Sequence, residues 1–194
     1  MRIIAGQFGS RRLHSSRGLA LRPTSDRLRE TLFDILQTRV EKCFFVDGYA
    51  GTGAVGIEAL SRGARHVAFL ENHRSAVALI RRNLDSLGLL PSDPARHSHV
   101  EILPVDVCHG LVTLAARVAS TGPVDILFFD PPYAEPEEIY RVLDVLAGSP
   151  LVAAHSLIVL ERGRKTALPA TRGPFLRVRT VVQGDAALDF FTPG

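Results

Sequence analysis

Residues 46–60 read VDGYAGTGAVGIEAL, the end of an apolar run that gives way to spaced glycines and then to a helical pattern. Gly51, Gly53 and Gly56 form GxGxxG at this junction, where absent side chains let a ligand approach the backbone and the N-terminus of the next helix. Taken alone, the motif also fits glycines that merely permit tight helix packing. Its neighbours on both sides extend the pattern. CFFVD (43–47) leads into it, and HVAFLE (66–71), SAVALIRRNLDSLGL (75–89), VEILPVD (100–106), a helical stretch near 109–119, VDILFFD (124–130), PEEIYRVLDVLAG (136–148) and SLIVLER (156–162) follow. Apolar strands separated by helices predict a parallel sheet covered on both faces, a doubly wound α/β fold. FLRVRTVVQGDAALDFF (175–191) has strand composition around a Gly-Asp turn and predicts an antiparallel hairpin that closes the sheet.

Upstream of the first strand, MRIIAG begins as a short strand and QFGSRRLHSSRGLALRP reads as a loop or hairpin. TSDRLRETLFDIL predicts a helix capped by Thr24 or Ser25, with Leu28, Leu32, Phe33, Ile35 and Leu36 along one apolar stripe. Residues 1–30 carry seven arginines against Asp26 and Glu30, a charge of +5, while the chain as a whole is +3. Guanidinium groups make forked bonds to phosphate, so this arm is either a nucleic-acid contact or a solvated basic surface.

The chain's 194 residues, 46% of them apolar, suit one globular domain with a small extension. Two cysteines, Cys43 and Cys108, are too few for a disulfide framework or a zinc site and read as reduced thiols. No signal-peptide pattern and no run of eighteen apolar residues is present, so a soluble, cytoplasmic protein is expected, without a membrane partner. The loop 88–99 holds His97 and His99, which read as exposed loop histidines rather than metal ligands.

Two carboxylates sharpen the ligand. Glu71 closes the second strand, a position from which acids commonly grip ribose hydroxyls. Asp47 precedes the glycine turn, where it would repel a pyrophosphate and attract a ligand bearing an ammonium and a sulfonium. That favours S-adenosylmethionine over a dinucleotide. Residues 128–137, FFDPPYAEPE, then place an acid and two prolines at the carboxyl end of the fourth strand, in the same crevice. An exocyclic amine on a nucleobase is a poor nucleophile because its lone pair is delocalised into the ring. The Asp130 carboxylate and the Pro131 carbonyl offer two acceptors for its N–H bonds, and proline fixes the turn. Tyr133 can stack on the base.

The tetrad DPPY resembles that of amino-group methyltransferases. Together with RPTSDRLRETLFDIL and AGTGAVGIEALSRGA, it makes nearly the whole chain similar to the bacterial 16S rRNA (guanine-N2)-methyltransferase family, also called RsmD. The resemblance implies a Rossmann-like class I methyltransferase domain over 41–194, preceded by a basic extension over 1–40 that faces RNA or covers the cofactor. It implies S-adenosylmethionine as methyl donor with no metal, and as substrate one guanine of 16S rRNA in an assembled or assembling small subunit. By motif, Asp47, Gly51 and Gly53 would line the methionine part, Glu71 the ribose and Asp106 the adenine, with Tyr49, Ala50, Asn72 and Val107 completing the cofactor set. Asp130, Pro131 and Tyr133 would hold the target base, with Pro132, Arg11, Arg12, Arg22 and Arg29 on the RNA side. Gly48, Tyr49 and Thr52 depart from the family's commoner LDLFAGSG pattern. A monomer is expected. Two other readings use the same residues: a DNA adenine-N6 methyltransferase, and a noncatalytic RNA-binding assembly factor.

Overall fold

A computed structural model describes residues 1–15, 25–90 and 100–194. The expected alternation is present: β1 (Phe44–Gly48), α2 (Ala54–Ser61), β2 (His66–Leu70), α3 (Arg74–Ser86), β3 (Val100–Leu103), α4 (Val107–Ala115), α5 (Val118–Thr121), β4 (Ile126–Phe129), α6 (Glu137–Leu146) and β5 (Leu157–Gly163), with α1 (Asp26–Leu36) before them. β6 (Thr171–Arg172), β7 (Phe175–Gln183) and β8 (Ala186–Pro193) follow. The eight strands form one sheet in the order β3-β2-β1-β4-β5-β8-β7-β6. β1 to β5 are parallel, and β8 runs antiparallel to both β5 and β7. The Gly184–Asp185 turn closes the last hairpin as the sequence predicts.

Alternation along the strands explains the two cores. Phe45, Phe69, Phe128 and Val159 point to one face, against α1, α2 and α3. Phe44, Leu70, Phe129 and Leu160 point to the other, against α4 and α6. Successive strand residues face opposite sides, so a strand buried on both faces must be apolar throughout. The helix expected near 109–119 begins earlier and divides, because Asp106 caps α4 by accepting from Cys108 N–H at 3.0 Å. Ser25 caps α1, accepting from Leu28 N–H at 3.1 Å; Thr24, the other candidate, lies outside the described residues, as do His97 and His99. Among the described residues no helix is long and apolar enough to cross a membrane, and both cysteines are free thiols.

The N-terminal stretch doubles back rather than forming a regular strand, with a single bridge between Arg2 and Arg12. It is pinned along α2. Glu58 accepts from the Ile4 and Ala5 amides at 2.7 and 3.0 Å, and Ser61 Oγ accepts from Phe8 N–H at 3.0 Å. Gly6, with φ +81°, sits so close that a Cβ there would lie 1.9 Å from the Ser61 carbonyl oxygen. The hairpin tip therefore lies at the C-terminal end of α2, while Met1 reaches Thr52 beside the glycine turn.

Candidate active site

The parallel register sets the site. Gly48 pairs with Leu70 on one side and with Phe129 on the other, so the chain segments that leave β1, β2 and β4 emerge together. Glu71, the glycine turn and Asp130 therefore border one cleft of about 670 Å³. Gly48 also makes room within the sheet, because a Cβ there would lie 2.3 Å from the Phe129 ring. That accounts for one of the loop's departures from the commoner pattern.

The glycine turn is cross-tied by acids. Gly51 has φ +55° and Gly53, the residue that caps the start of α2, has φ +76°, conformations that favour glycine. Glu71 accepts from Gly51 N–H and from His73 N–H, each at 2.8 Å. Asp47 accepts from Gly56 N–H at 2.8 Å. Only 2% of Asp47 is exposed, and burial pushes its carboxyl up to about 8; the Gly56 N–H bond opposes the shift and the Glu71 charge adds to it. A carboxyl raised this far is mostly protonated at neutral pH, and a cation at close range would favour its charged form.

On the β4 side, Asp130 N–H donates to the Gly48 carbonyl at 3.3 Å, which fixes the start of the Asp-Pro-Pro turn against β1. Glu135 N–H closes the turn on the Pro132 carbonyl at 2.9 Å. The Tyr133 hydroxyl donates to Glu161 Oε1 at 2.9 Å, so β5 holds the ring beside the cleft. Asp130, Pro131 and the Tyr133 ring thus border the same cavity as the acids and the glycine turn. The arrangement can orient a planar amine toward an electrophile bound over the turn.

Most of the expected site residues meet in this cleft. Asp47, Tyr49, Ala50, Gly51, Glu71, Asn72 and Asp106 line it, as do Asp130, Pro131, Pro132 and Tyr133. Gly53 stands behind the lining, where a Cβ would crowd Ile80 at 3.2 Å. Val107 does not face the cavity; it is 3% exposed and belongs to the core under α4. Arg29 is a correction too. Expected on the RNA side, it is fully buried, donating to the Arg2 carbonyl and to Asp26, with its Nε 3.9 Å from Glu58. Arg11 and Arg12 are exposed but border no part of the cleft. Arg22 lies outside the described residues.

The sequence reading missed Glu138. Buried in the first turn of α6, it accepts from the Tyr49 hydroxyl at 2.7 Å and from Arg141, whose other terminal nitrogen lies 3.9 Å from Asp106. Burial and the Glu138 carboxylate both hold the Tyr49 phenol above its ordinary range, so it acts as a donor. Tyr49 has φ +59°, unusual for a bulky residue, and this bond anchors it. An acid right after a proline-rich turn was the available signal. Tyr49→Phe should lower the unfolding free energy by about 1 kcal/mol in denaturant titration; an unchanged midpoint would show that the hydroxyl bond contributes nothing.

The whole-chain comparisons fit this geometry. A family model described as "Conserved hypothetical protein 95" matches residues 1–192. The Escherichia coli protein named "Ribosomal RNA small subunit methyltransferase D" is 30% identical over 187 residues, covering 96% of this chain and 87% of that protein. Its namesake from Buchnera aphidicola is 28% identical over 166 residues, covering 86% and 80%. Among solved structures, "Putative methyltransferase yhhF" from Escherichia coli superposes with a TM-score of 0.80 at 29% identity, covering 100% of this chain and 97% of that one.

Proposed function

The chain belongs to the conserved hypothetical protein 95 family, the RsmD methyltransferases of class I fold, and from that premise we propose that it methylates the exocyclic N2 amine of one guanine in small-subunit rRNA with S-adenosylmethionine as donor. One observation carries the reading: the β1–β4 register brings Asp130 and Pro131 to the rim of the glycine turn, within one cleft.

The residues suit the cofactor. Its ammonium and sulfonium match the buried Asp47 carboxyl, and a Cβ built on Gly51 would meet only the Tyr49 carbonyl oxygen, at 3.9 Å, so the backbone there is open to a ligand. Glu71 already accepts two amides, yet a carboxylate has about four lone-pair sites and retains capacity for ribose hydroxyls. Asp106 and Asn72 line the same cleft, and in this reading they take the adenine. When bound, the cofactor supplies a methyl group on a sulfur that leaves as a neutral thioether. Asp130 and Pro131 would accept the two N–H bonds of the guanine amine and turn its lone pair toward that methyl. The Asp130 carboxylate stabilises the positive charge that grows on nitrogen and is placed to take the proton. Tyr133 stacks on the base, which must leave its helix or loop to enter.

In this reading residues 41–194 form the catalytic domain and residues 1–40 an extension that faces RNA or covers the cofactor, of which residues 1–8 brace α2 and the glycine turn. The enzyme acts in the cytoplasm as a monomer on 16S rRNA in an assembled or assembling subunit. The test is transfer of label from methyl-labelled S-adenosylmethionine to under-methylated small subunits, naked small-subunit rRNA, or DNA. The expected result is label on RNA, in subunits or naked. Label on DNA alone would replace the substrate, and cofactor binding without transfer to any of the three would make the chain a noncatalytic assembly factor.

A further inference from the structure

Net charge hides a second basic surface. Residues 162–179 contain six cations, Arg162, Arg164, Lys165, Arg172, Arg177 and Arg179, and no acid. Three are committed to partners within the chain. Arg162 pairs with the buried Asp189, Arg172 makes a forked pair with Asp144, and Arg177 donates to the Leu168 carbonyl at 2.9 Å. Arg164, Lys165 and Arg179 are exposed, and among the described residues none of the three has an ion-pair partner; Arg179 lies apart on β7.

Their position gives this charge a use. Phe129 pairs with Leu160, so Asp130 lies beside Glu161 as β4 ends, while β5 runs on to Gly163. A Cβ on Gly163 would sit 3.5 Å from the Tyr133 ring, and Tyr133 and Gly163 border one small surface depression. Arg164 and Lys165 come directly after Gly163, in the turn that continues β5 past the ring proposed to stack the target base; neither borders the cleft or the depression itself. The turn that carries them is held rigidly: Arg164 N–H donates to the Asp185 carbonyl at 2.7 Å and Thr166 N–H to the Gly163 carbonyl at 3.0 Å. The N-terminal hairpin is placed differently. Its tip rests on Ser61 at the far end of α2, and the Arg11 guanidinium lies over Phe8, 5.9 Å from the ring centre.

We propose that the Gly163–Thr166 turn is an RNA-backbone clamp, in which Arg164 and Lys165 grip phosphates next to the flipped base and so set its depth against Asp130. The inference rests on the RNA-methyltransferase reading above. Phosphate contacts of this kind fix register and supply salt-dependent affinity without reading sequence.

The experiment compares the wild type, Arg164→Ala/Lys165→Ala and Arg11→Ala/Arg12→Ala in methyl transfer to under-methylated small subunits, and in binding to naked small-subunit rRNA at several salt concentrations. Expected for the turn variant is an RNA KM raised about tenfold, an unchanged S-adenosylmethionine Kd, and a plot of log affinity against log salt shallower by about 1.5. A KM and salt slope equal to wild type would overturn the clamp, and so would a loss no larger than that of the hairpin variant, which removes the same charge elsewhere. A wild type that transfers nothing to RNA sinks the functional reading itself. A wild type that transfers normally beside an unaffected turn variant sinks only the clamp.

Discussion

Asp130→Ala is expected to lower turnover by about 10²- to 10³-fold while leaving S-adenosylmethionine affinity within about twofold. The carboxylate is proposed to meet charge that appears on the amine only as the methyl moves, and such an interaction contributes to kcat rather than to ground-state binding. Asp130 lines the same cleft as Asp47 and Glu71, the acids proposed to hold the cofactor, but leaves a different strand, β4. Asp130→Asn keeps the shape and one acceptor but removes the charge, so it should fall between alanine and wild type. Single-turnover transfer together with cofactor titration separates the steps. Equal losses in both would reassign Asp130 to the cofactor site.

The second large effect is a trade at Asp47. Its carboxyl is pushed up to about 8 from an ordinary 3.8. Between roughly pH 4 and pH 8 the native chain thus binds more protons than the unfolded one, and the sign follows. The stability associated with this group is full below pH 4 and is lost as pH rises toward 8. Asp47→Asn still accepts the Gly56 N–H bond without a buried charge, so the variant should be more stable near pH 8 by about 2 kcal/mol, or about 4–8 °C in Tm. Its advantage should shrink on acidification. Cofactor affinity should move the other way. A bound cation needs Asp47 ionised, so the wild-type Kd should worsen by up to about tenfold per pH unit below 8. The asparagine variant should bind at least about tenfold more weakly at pH 8 and show a flatter pH profile. Comparing the two proteins cancels the ligand's own titration. A variant no more stable than wild type at pH 8, with the same Kd profile, would mean that Asp47 is not the cation's partner.

Much of this architecture is legible in the sequence because burial on both faces demands unbroken apolar strands. ILFF in β4 and the glycine turn after β1 leave few other folds. The site follows, since strand ends in such a sheet converge on one crevice. What escapes is whatever depends on a partner remote in sequence. Arg29 looks like part of a basic arm, and besides the nearby Asp26 its buried partners, the Arg2 carbonyl and Glu58, lie on other elements. Its neighbours gave a clue: the buried positions of α1 are 28, 29, 32, 33 and 36, so Arg29 falls within the apolar stripe. Tyr49 and Glu138 are 89 positions apart and meet only through the β1–β4 pairing. Val107 was expected in the cofactor set through the family resemblance, but the first turn of α4 rotates it into the core. Averaging charge over long segments masked Arg164 and Lys165.

The most direct measurement identifies the atom that receives the methyl group. Small-subunit RNA methylated by the enzyme from a deuteriomethyl donor would be digested to nucleosides and resolved by mass spectrometry against standards. The account predicts the heavy methyl on N2 of guanosine, at one site per subunit. Deuteriomethyl on a ring nitrogen, a ring carbon or a ribose oxygen would contradict it, because none of those atoms presents two N–H bonds to Asp130 and Pro131.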